Sequence, residues 1–164
     1  MTNEVNQHSQ HGKIVGLVWS IANIIRGPYR PPQYRRVMLP LIVLGRFDAI
    51  LAPYADEMKT CYEKAVANLQ DKNPNVFLQK QLSQIADKNR KQNLYNISGF
   101  NLQKLLDDPD QFTANLTKYI DGFSPKAKDI FAKFEFAKEI EKLDDANRLY
   151  KVFQEFRNGL VESG

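Results

Sequence analysis

The sequence is poor in the residues that usually carry catalytic or metal chemistry. Its 164 residues include one cysteine and two histidines. A single cysteine, Cys61, cannot form an internal disulfide, so a disulfide framework and a cysteine-based metal site are both excluded, which fits a reducing compartment. His8 and His11 have no further histidine beside them to complete a set of metal ligands. The composition therefore argues against a metal centre.

Acidic residues are missing from one long stretch near the N-terminus. Between Val5 and Phe47 the chain has six basic residues and no acidic one. The net charge is +4, so this segment carries more than the whole positive excess and the rest of the chain is net negative. Such a segment suits a phosphate-bearing partner, although an ordinary solvated connection can have the same composition. The six residues are Lys13, Arg26, Arg30, Arg35, Arg36 and Arg46.

Within this stretch, the residues from Arg26 to Pro32 combine two arginines with three prolines, and we call them the basic elbow. Proline cannot continue a helical hydrogen-bond ladder, and it disfavours helix in the residue before it. The elbow should therefore end the preceding helix. It should also hold arginine side chains at a low entropy cost, and their planar donor forks match phosphate oxygens.

Two groups of side chains are candidate contacts to DNA. The first group lies in and after the basic elbow, and it includes Tyr29 because a tyrosine on a turn could face a partner. The second is a basic group near residue 90, which is commonly a solvated face but could extend a phosphate track. The candidates are Arg26, Tyr29, Arg30, Arg35, Arg36, Lys88, Arg90 and Lys91.

Hydrophobic periodicity predicts helices throughout, and the fold class is all-α: a multi-helix orthogonal bundle of about six to eight helices. The apolar run from Val37 to Leu44 predicts a central buried helix, which Pro40 should kink. We expect a flexible polar tail over residues 1–12, one helical domain over 13–158 and a truncated end or linker over 159–164. The run from Ile14 to Ile25 is too short to span a bilayer, so we expect a cytoplasmic protein without a membrane partner.

Two parts of the sequence resemble a known family. The first reads VWSIANIIRGPY from Val18 and VMLPLIVLGRFD from Val37, and the second reads YIDGFSP from Tyr119 and NRLY from Asn147. Together they resemble the N-terminal helical domain of the modification (methyltransferase) subunit of type I restriction-modification systems. The resemblance extends from about residue 14 to about residue 156.

The resemblance implies that the parent protein is a site-specific, adenine-specific DNA methyltransferase that uses S-adenosylmethionine. In that family a later domain binds this cofactor through a glycine-bearing loop and methylates adenine through an Asn-Pro-Pro-Phe motif. Neither motif occurs in the sequence, so we expect a chain that is inactive alone, holds no cofactor and lacks the catalytic domain. The implied partners are duplex DNA, the specificity subunit and the restriction/translocase subunit.

Three functions are compatible with these observations. The leading hypothesis is a DNA-engaging and subunit-assembly domain that helps a specificity subunit to clamp duplex DNA. The alternative is a protein-interaction scaffold that docks the specificity subunit or a second copy and makes no DNA contact of its own. A free-standing DNA-binding regulator is less well supported, because no helix presents Arg, Asn or Gln at successive base-reading positions.

Overall fold

The computed structural model describes residues 2–69, 74–86 and 93–163, and it describes side chains within 11–68, 74–86 and 93–160. The chain is an all-α bundle, which confirms the predicted fold class, and the described residues contain no strand. Short 3-10 helices occupy Pro31–Gln33, Ala52–Tyr54 and Pro109–Gln111. The α-helices are α1 (Thr2–Ile25), α2 (Arg35–Leu51), α3 (Ala55–Leu69), α4 (Val76–Ala86), α5 (Leu102–Leu106), α6 (Phe112–Asp121), α7 (Pro125–Lys133), α8 (Phe136–Asp145) and α9 (Leu149–Ser163).

The helix boundaries around the basic elbow follow from its prolines. α1 ends at Ile25, three residues before Pro28, and α2 begins at Arg35 after the 3-10 turn. α2 contains Pro40 in its interior, and one helix of the bundle is bent by 31°. α1 begins at Thr2 and so includes the polar residues for which a tail was expected; the limits of that tail stay a prediction.

The chain packs as two compact units. Unit 1 comprises Met1–Gly45 and Phe134–Gly164, and unit 2 comprises Arg46–Lys133. The division falls inside α2. It does not coincide with the domain limits expected at residues 13 and 158, which stay a prediction.

In unit 1, α1 packs against α9 through a buried face that includes Ile21, Ile25 and Phe153. Gly45 allows α2 to approach α9 closely. A Cβ atom at Gly45 would lie 2.8 Å from the ring of Phe156, and that separation is too short for a real side chain. Any larger residue at this position would therefore require the Phe156 ring or one of the helices to shift.

In unit 2, aromatic rings from α2, α6, α7 and the connection between α6 and α7 pack together in the core. The ring centroids of Phe47, Tyr119, Phe123 and Phe131 lie 4.9 to 5.9 Å apart in tilted and edge-on pairs. Such arrangements are favoured by the charge distribution of aromatic rings.

A buried carboxylate adjoins this aromatic core. Asp48 Oδ1 accepts hydrogen bonds from the Tyr119 hydroxyl at 2.9 Å and from the Leu102 backbone N–H at 3.0 Å. Burial raises the pKa of Tyr119, and the negative charge of Asp48 and the hydrogen bond to it raise the pKa further. Asp48 thus ties the start of α5 to the end of α6.

The prediction that the apolar run from Val37 to Leu44 forms a central buried helix was wrong in part. Val37, Leu41 and Leu44 recur at helical spacing and are buried, but Leu39 and Ile42 are each 47% exposed. A helix at the edge of a bundle buries one stripe, and the other apolar residues then face outward.

One helical stretch, residues 31–68, is long and apolar enough by composition to cross a membrane. Of its most apolar window, 39% is buried inside the protein. The core helix of a soluble protein meets the same criterion, so the stretch is weak evidence for a membrane span.

Candidate nucleic-acid interface

The basic elbow is a defined turn held by its own backbone. Arg26 and Tyr29 donate their N–H groups to Ala22 and Ile25 at 3.0 Å, which extends the last turn of α1. Gly27 has φ of +111°, a left-handed conformation that glycine adopts without a steric penalty. The turn therefore depends on the Gly-Pro pair at its centre.

Tyr29 is part of the interior, so the prediction that it faces a partner was wrong. Its side chain is 1% exposed, and its hydroxyl donates a hydrogen bond to Oε2 of Glu139 on α8. Glu139 is itself buried. A tyrosine beside prolines on a turn is solvent-facing only if no other element covers it, and here α8 covers it.

α8 holds the elbow through a second residue as well. The ammonium group of Lys142 lies 4.1 Å from the centre of the Tyr29 ring, a cation–π contact. Burial raises the pKa of Tyr29 well above its usual value, and the hydrogen bond to Glu139 and the charge of Glu139 raise it further, while Arg36 opposes the shift. Tyr29 therefore stays a neutral hydrogen-bond donor at physiological pH.

Arg26 lines an open hollow that contains no acidic residue, which we call the elbow hollow. Its volume is about 510 Å³. Trp19, which is 60% exposed, stands on its wall together with Tyr34. The lining residues are Val18, Trp19, Ala22, Arg26, Pro31 and Tyr34. The hollow thus combines aromatic surface with one cation.

Arg36 lines a different hollow, of about 620 Å³, which we call the α8 hollow. Four carboxylates and two lysines share it with Arg36, so the local charge is mixed. The lining residues are Arg36, Phe134, Glu135, Lys138, Glu139, Glu141, Lys142 and Asp145. Phosphate would meet repulsion from these carboxylates, so Arg36 is a weaker candidate than the sequence implied.

The other candidate residues fall into two groups. Arg30 and Arg35 are exposed, as are Arg26 and Arg36, and within the described ranges none of the four has a carboxylate within 4.0 Å. The second group, Lys88, Arg90 and Lys91, lies outside the described residues.

Sequence reasoning missed the residues that support the elbow. Glu139 and Lys142 lie one helical turn apart on α8, and Arg148 precedes α9. Nη1 of Arg148 donates to the carbonyl oxygens of Ile24 at 2.5 Å and Arg26 at 2.7 Å. A signal did exist: Pro28 has no N–H and leaves the carbonyl four residues earlier without its helical donor.

The side chains that the structure describes do not form a metal site, and both glycines with positive φ have a basic side chain nearby. No group of three or more His, Cys, Asp or Glu could hold a metal ion there. A Cβ atom at Gly27 would lie 3.7 Å from Arg148, and one at Gly99 would lie 2.5 Å from Lys59. Each of these two positive-φ glycines therefore lies beside a basic side chain, and Gly27 is itself exposed.

The family model of the HsdM N-terminal domain matches residues 14–156. No curated protein and no solved structure matches the chain significantly. The family match spans most of the sequence and includes the basic elbow, α8 and the start of α9. The chain therefore belongs to the HsdM N-terminal domain family, the N-terminal domain of the modification subunit of type I restriction-modification systems.

Proposed function

We propose that this domain engages duplex DNA and assists subunit assembly in a type I adenine-N6 DNA methyltransferase. It would act with the specificity subunit to clamp the duplex while another part of the modification subunit transfers methyl from S-adenosylmethionine. The observation that carries the proposal is the exposure of Arg26, Arg30 and Arg35, without a carboxylate partner among the described residues, in a segment that has no acidic residue.

The proposed contact is to phosphate and is independent of sequence. Arginine forks can pair with phosphate oxygens and fix the register of the protein on the duplex, while base reading belongs to the specificity subunit. Arg26 and Arg30 belong to the elbow, whose three prolines restrict the backbone, so little backbone freedom would be lost on binding. Arg36 contributes less, because it shares the α8 hollow with four carboxylates.

The same proposal covers the partners and the cellular location. Family membership supports assembly with the other subunits of a type I system, and we propose that these are the specificity subunit and the restriction/translocase subunit. Since the substrate would be cellular DNA, we propose a cytoplasmic location.

The test is a charge reversal at the elbow. Arg26→Glu with Arg30→Glu should lower the affinity for a duplex at least about tenfold at about 50 mM salt, because two phosphate contacts become repulsive. The matched control is Lys126→Glu with Lys128→Glu, which makes the same charge change at exposed positions of α7. Fluorescence anisotropy with a labelled duplex measures both, and equal losses in the two variants would contradict an elbow-specific contact.

Salt dependence gives a second measurement on the same samples. If Arg26, Arg30 and Arg35 each pair with one phosphate, log affinity should fall against log salt with a slope near about −3. A slope near zero, or no binding at low salt, would exclude the DNA-engaging role.

A second candidate function is supported by exposed apolar residues. Ile14, Val18 and Trp19 on α1 are exposed, as are Leu39 and Ile42 on α2. Exposed apolar surface favours a protein partner, as in the scaffold alternative. Under that alternative, Trp19→Ser should weaken complex formation with the other subunits in size-exclusion chromatography, whereas the elbow reversal should leave DNA affinity unchanged.

A further inference from the structure

Two backbone carbonyls at the end of α1 cannot receive their usual helical hydrogen bonds. The carbonyl of Ile24 would accept from the residue four positions later, but that residue is Pro28, which has no N–H. The carbonyl of Arg26 would accept from Arg30, whose N–H donates to Oε1 of Gln33 at 3.0 Å. A carbonyl shielded from water without a donor costs about as much as a lost hydrogen bond. Ile24 is half-buried, so its carbonyl gains from a donor supplied by another part of the chain, whereas the carbonyl of the exposed residue Arg26 is also open to water.

Arg148 is that donor for both carbonyls. Its Nη1 lies 2.5 Å from the oxygen of Ile24 and 2.7 Å from the oxygen of Arg26. Gly27, between these residues, curves the backbone around the guanidinium group, since a Cβ there would lie 3.7 Å from Nη2. Hydrogen bonds from a charged donor are about twice as strong as neutral ones. A cation at the C-terminal end of a helix also meets the favourable end of the helix dipole.

The backbone of Arg148 is itself fixed by the turn between α8 and α9. Asn147 has φ of +58°, a left-handed conformation that asparagine tolerates better than most residues. The N–H of Arg148 donates to Leu143 at 2.9 Å, and its carbonyl accepts from Val152 at 3.0 Å. The guanidinium group therefore projects from a well-defined base onto the elbow.

We infer that Arg148 is a positioning residue for the elbow arginines, a role that rests on the proposed function. One of its two acceptors is the backbone of Arg26 itself, and the other lies in the last turn before it. Without Arg148 the elbow would exchange between more conformations, and binding phosphate would then cost more ordering entropy. Arg148 acts through the elbow, because its Nη1 is already engaged with backbone oxygens.

Duplex binding tests this role with a matched pair of substitutions. Arg148→Met removes the donor and one charge, and Lys151→Met removes one charge from an exposed position three residues further along the chain. We expect Arg148→Met to lose about tenfold in affinity at about 50 mM salt, and Lys151→Met less than about threefold. Arg148→Lys keeps the charge and can donate to carbonyls through a flexible stem, so an intermediate affinity is expected. Equal losses for the two methionine variants would overturn the inference.

Fluorescence gives a readout that a purely structural role would not change. Trp19 is the single tryptophan of the chain, and it lines the elbow hollow with Arg26. A nearby guanidinium group concentrates iodide and repels caesium. The ratio of the iodide quenching constant to the caesium quenching constant therefore reports whether Arg26 stays beside Trp19. In Arg148→Met this ratio should fall, and in Lys151→Met it should stay at the value of the unmodified chain. An unchanged ratio in Arg148→Met would overturn the inference even if affinity fell.

Circular dichroism checks that each variant is folded before these measurements. If Arg148→Met does not fold, Arg148→Lys decides: a lowered quenching ratio supports positioning, and a ratio equal to that of the unmodified chain overturns it. If the unmodified chain binds no duplex, the proposed function fails and the role of Arg148 in phosphate binding fails with it. If the unmodified chain binds and Arg148→Met binds equally well, the role of Arg148 fails alone.

Discussion

Each of the two units contains a buried tyrosine hydroxyl bonded to a buried carboxylate, and the surroundings of the two pairs differ. In unit 2, Tyr119 donates to Asp48, which also accepts the backbone N–H of Leu102. In unit 1, Tyr29 donates to Glu139, and Lys142 covers the tyrosine ring. The first pair joins two helices inside an aromatic core. The second pair anchors a turn whose arginines are exposed.

The comparison shows that one kind of contact serves two purposes. A satisfied polar pair in a core selects one arrangement of helices, because breaking it leaves buried groups without partners. The corresponding pair beneath the elbow, Tyr29 and Glu139, holds a cationic loop in place and does not involve the arginine side chains of that loop. We therefore expect changes at Asp48 to affect stability alone, and changes at Glu139 to affect both stability and duplex binding.

The largest effect is expected from Asp48→Ala. It leaves the Tyr119 hydroxyl and the Leu102 N–H without their acceptor, which should lower the free energy of unfolding by about 3 kcal/mol. Urea denaturation measures this loss. Asp129→Ala, at an exposed position of α7, should change stability by less than about 0.5 kcal/mol. If folded Asp48→Ala bound the duplex more weakly than the unmodified chain, the Tyr119–Asp48 pair would not be limited to stability, and the proposed difference between the two pairs would be wrong.

Glu139→Ala should have an intermediate effect on stability and a second effect on binding. The Tyr29 hydroxyl loses its acceptor, so the free energy of unfolding should fall by about 2 kcal/mol. Losing a negative charge would by itself tighten duplex binding, but a loosened elbow should weaken it about threefold. Glu141→Ala removes an exposed charge from the same hollow and should bind slightly more tightly. Tighter binding by both variants would show that the pair does not support the elbow.

The smallest effect concerns alkaline pH. The pKa values of Tyr29 and Tyr119 are raised above 10.0 in the folded protein. A raised pKa means that the folded state holds its proton longer, so the stabilisation is complete below pH 10 and is lost as pH rises towards the folded values. Between pH 10 and the folded pKa, each tyrosine that is shielded from solvent should lower the free energy of unfolding by at most about 1.4 kcal/mol per pH unit.

Substitution separates the two tyrosines in this alkaline range. Tyr29→Phe and Tyr119→Phe should each make the fall in urea midpoint shallower between about pH 10 and 11.5, because one titrating group is removed. Each variant serves as the comparison for the other. If one substitution left the slope unchanged, the corresponding hydroxyl would not be shielded as the structure indicates.

Much of the fold could be predicted because it depends on local rules. The three prolines of the elbow predicted the end of α1, and the structure agrees, since α1 ends at Ile25. The run from Val37 to Leu44 was harder to interpret. Apolar residues on every side of a helix do not reveal which stripe is covered, and Leu39 and Ile42 are half exposed.

The candidate site was predicted less completely. The arginines of the elbow are exposed, as the charge pattern suggested, but Tyr29 is buried under α8. Arg36 was grouped with the other arginines because it lies in the same acid-free segment, directly after Arg35. On a helix, adjacent residues point about 100° apart, and the structure places Arg36 in a hollow that contains four carboxylates.

The sequence by itself determined the helical class, the end of α1 and the concentration of positive charge near the N-terminus, because periodicity, the covalent geometry of proline and composition are local properties. The tertiary structure alone decided which of these residues are accessible and what supports them. Tyr29 meets Glu139 across 110 positions of sequence, and Arg148 meets Arg26 across 122. Contacts over such separations depend on how whole helices pack, and no single segment encodes them.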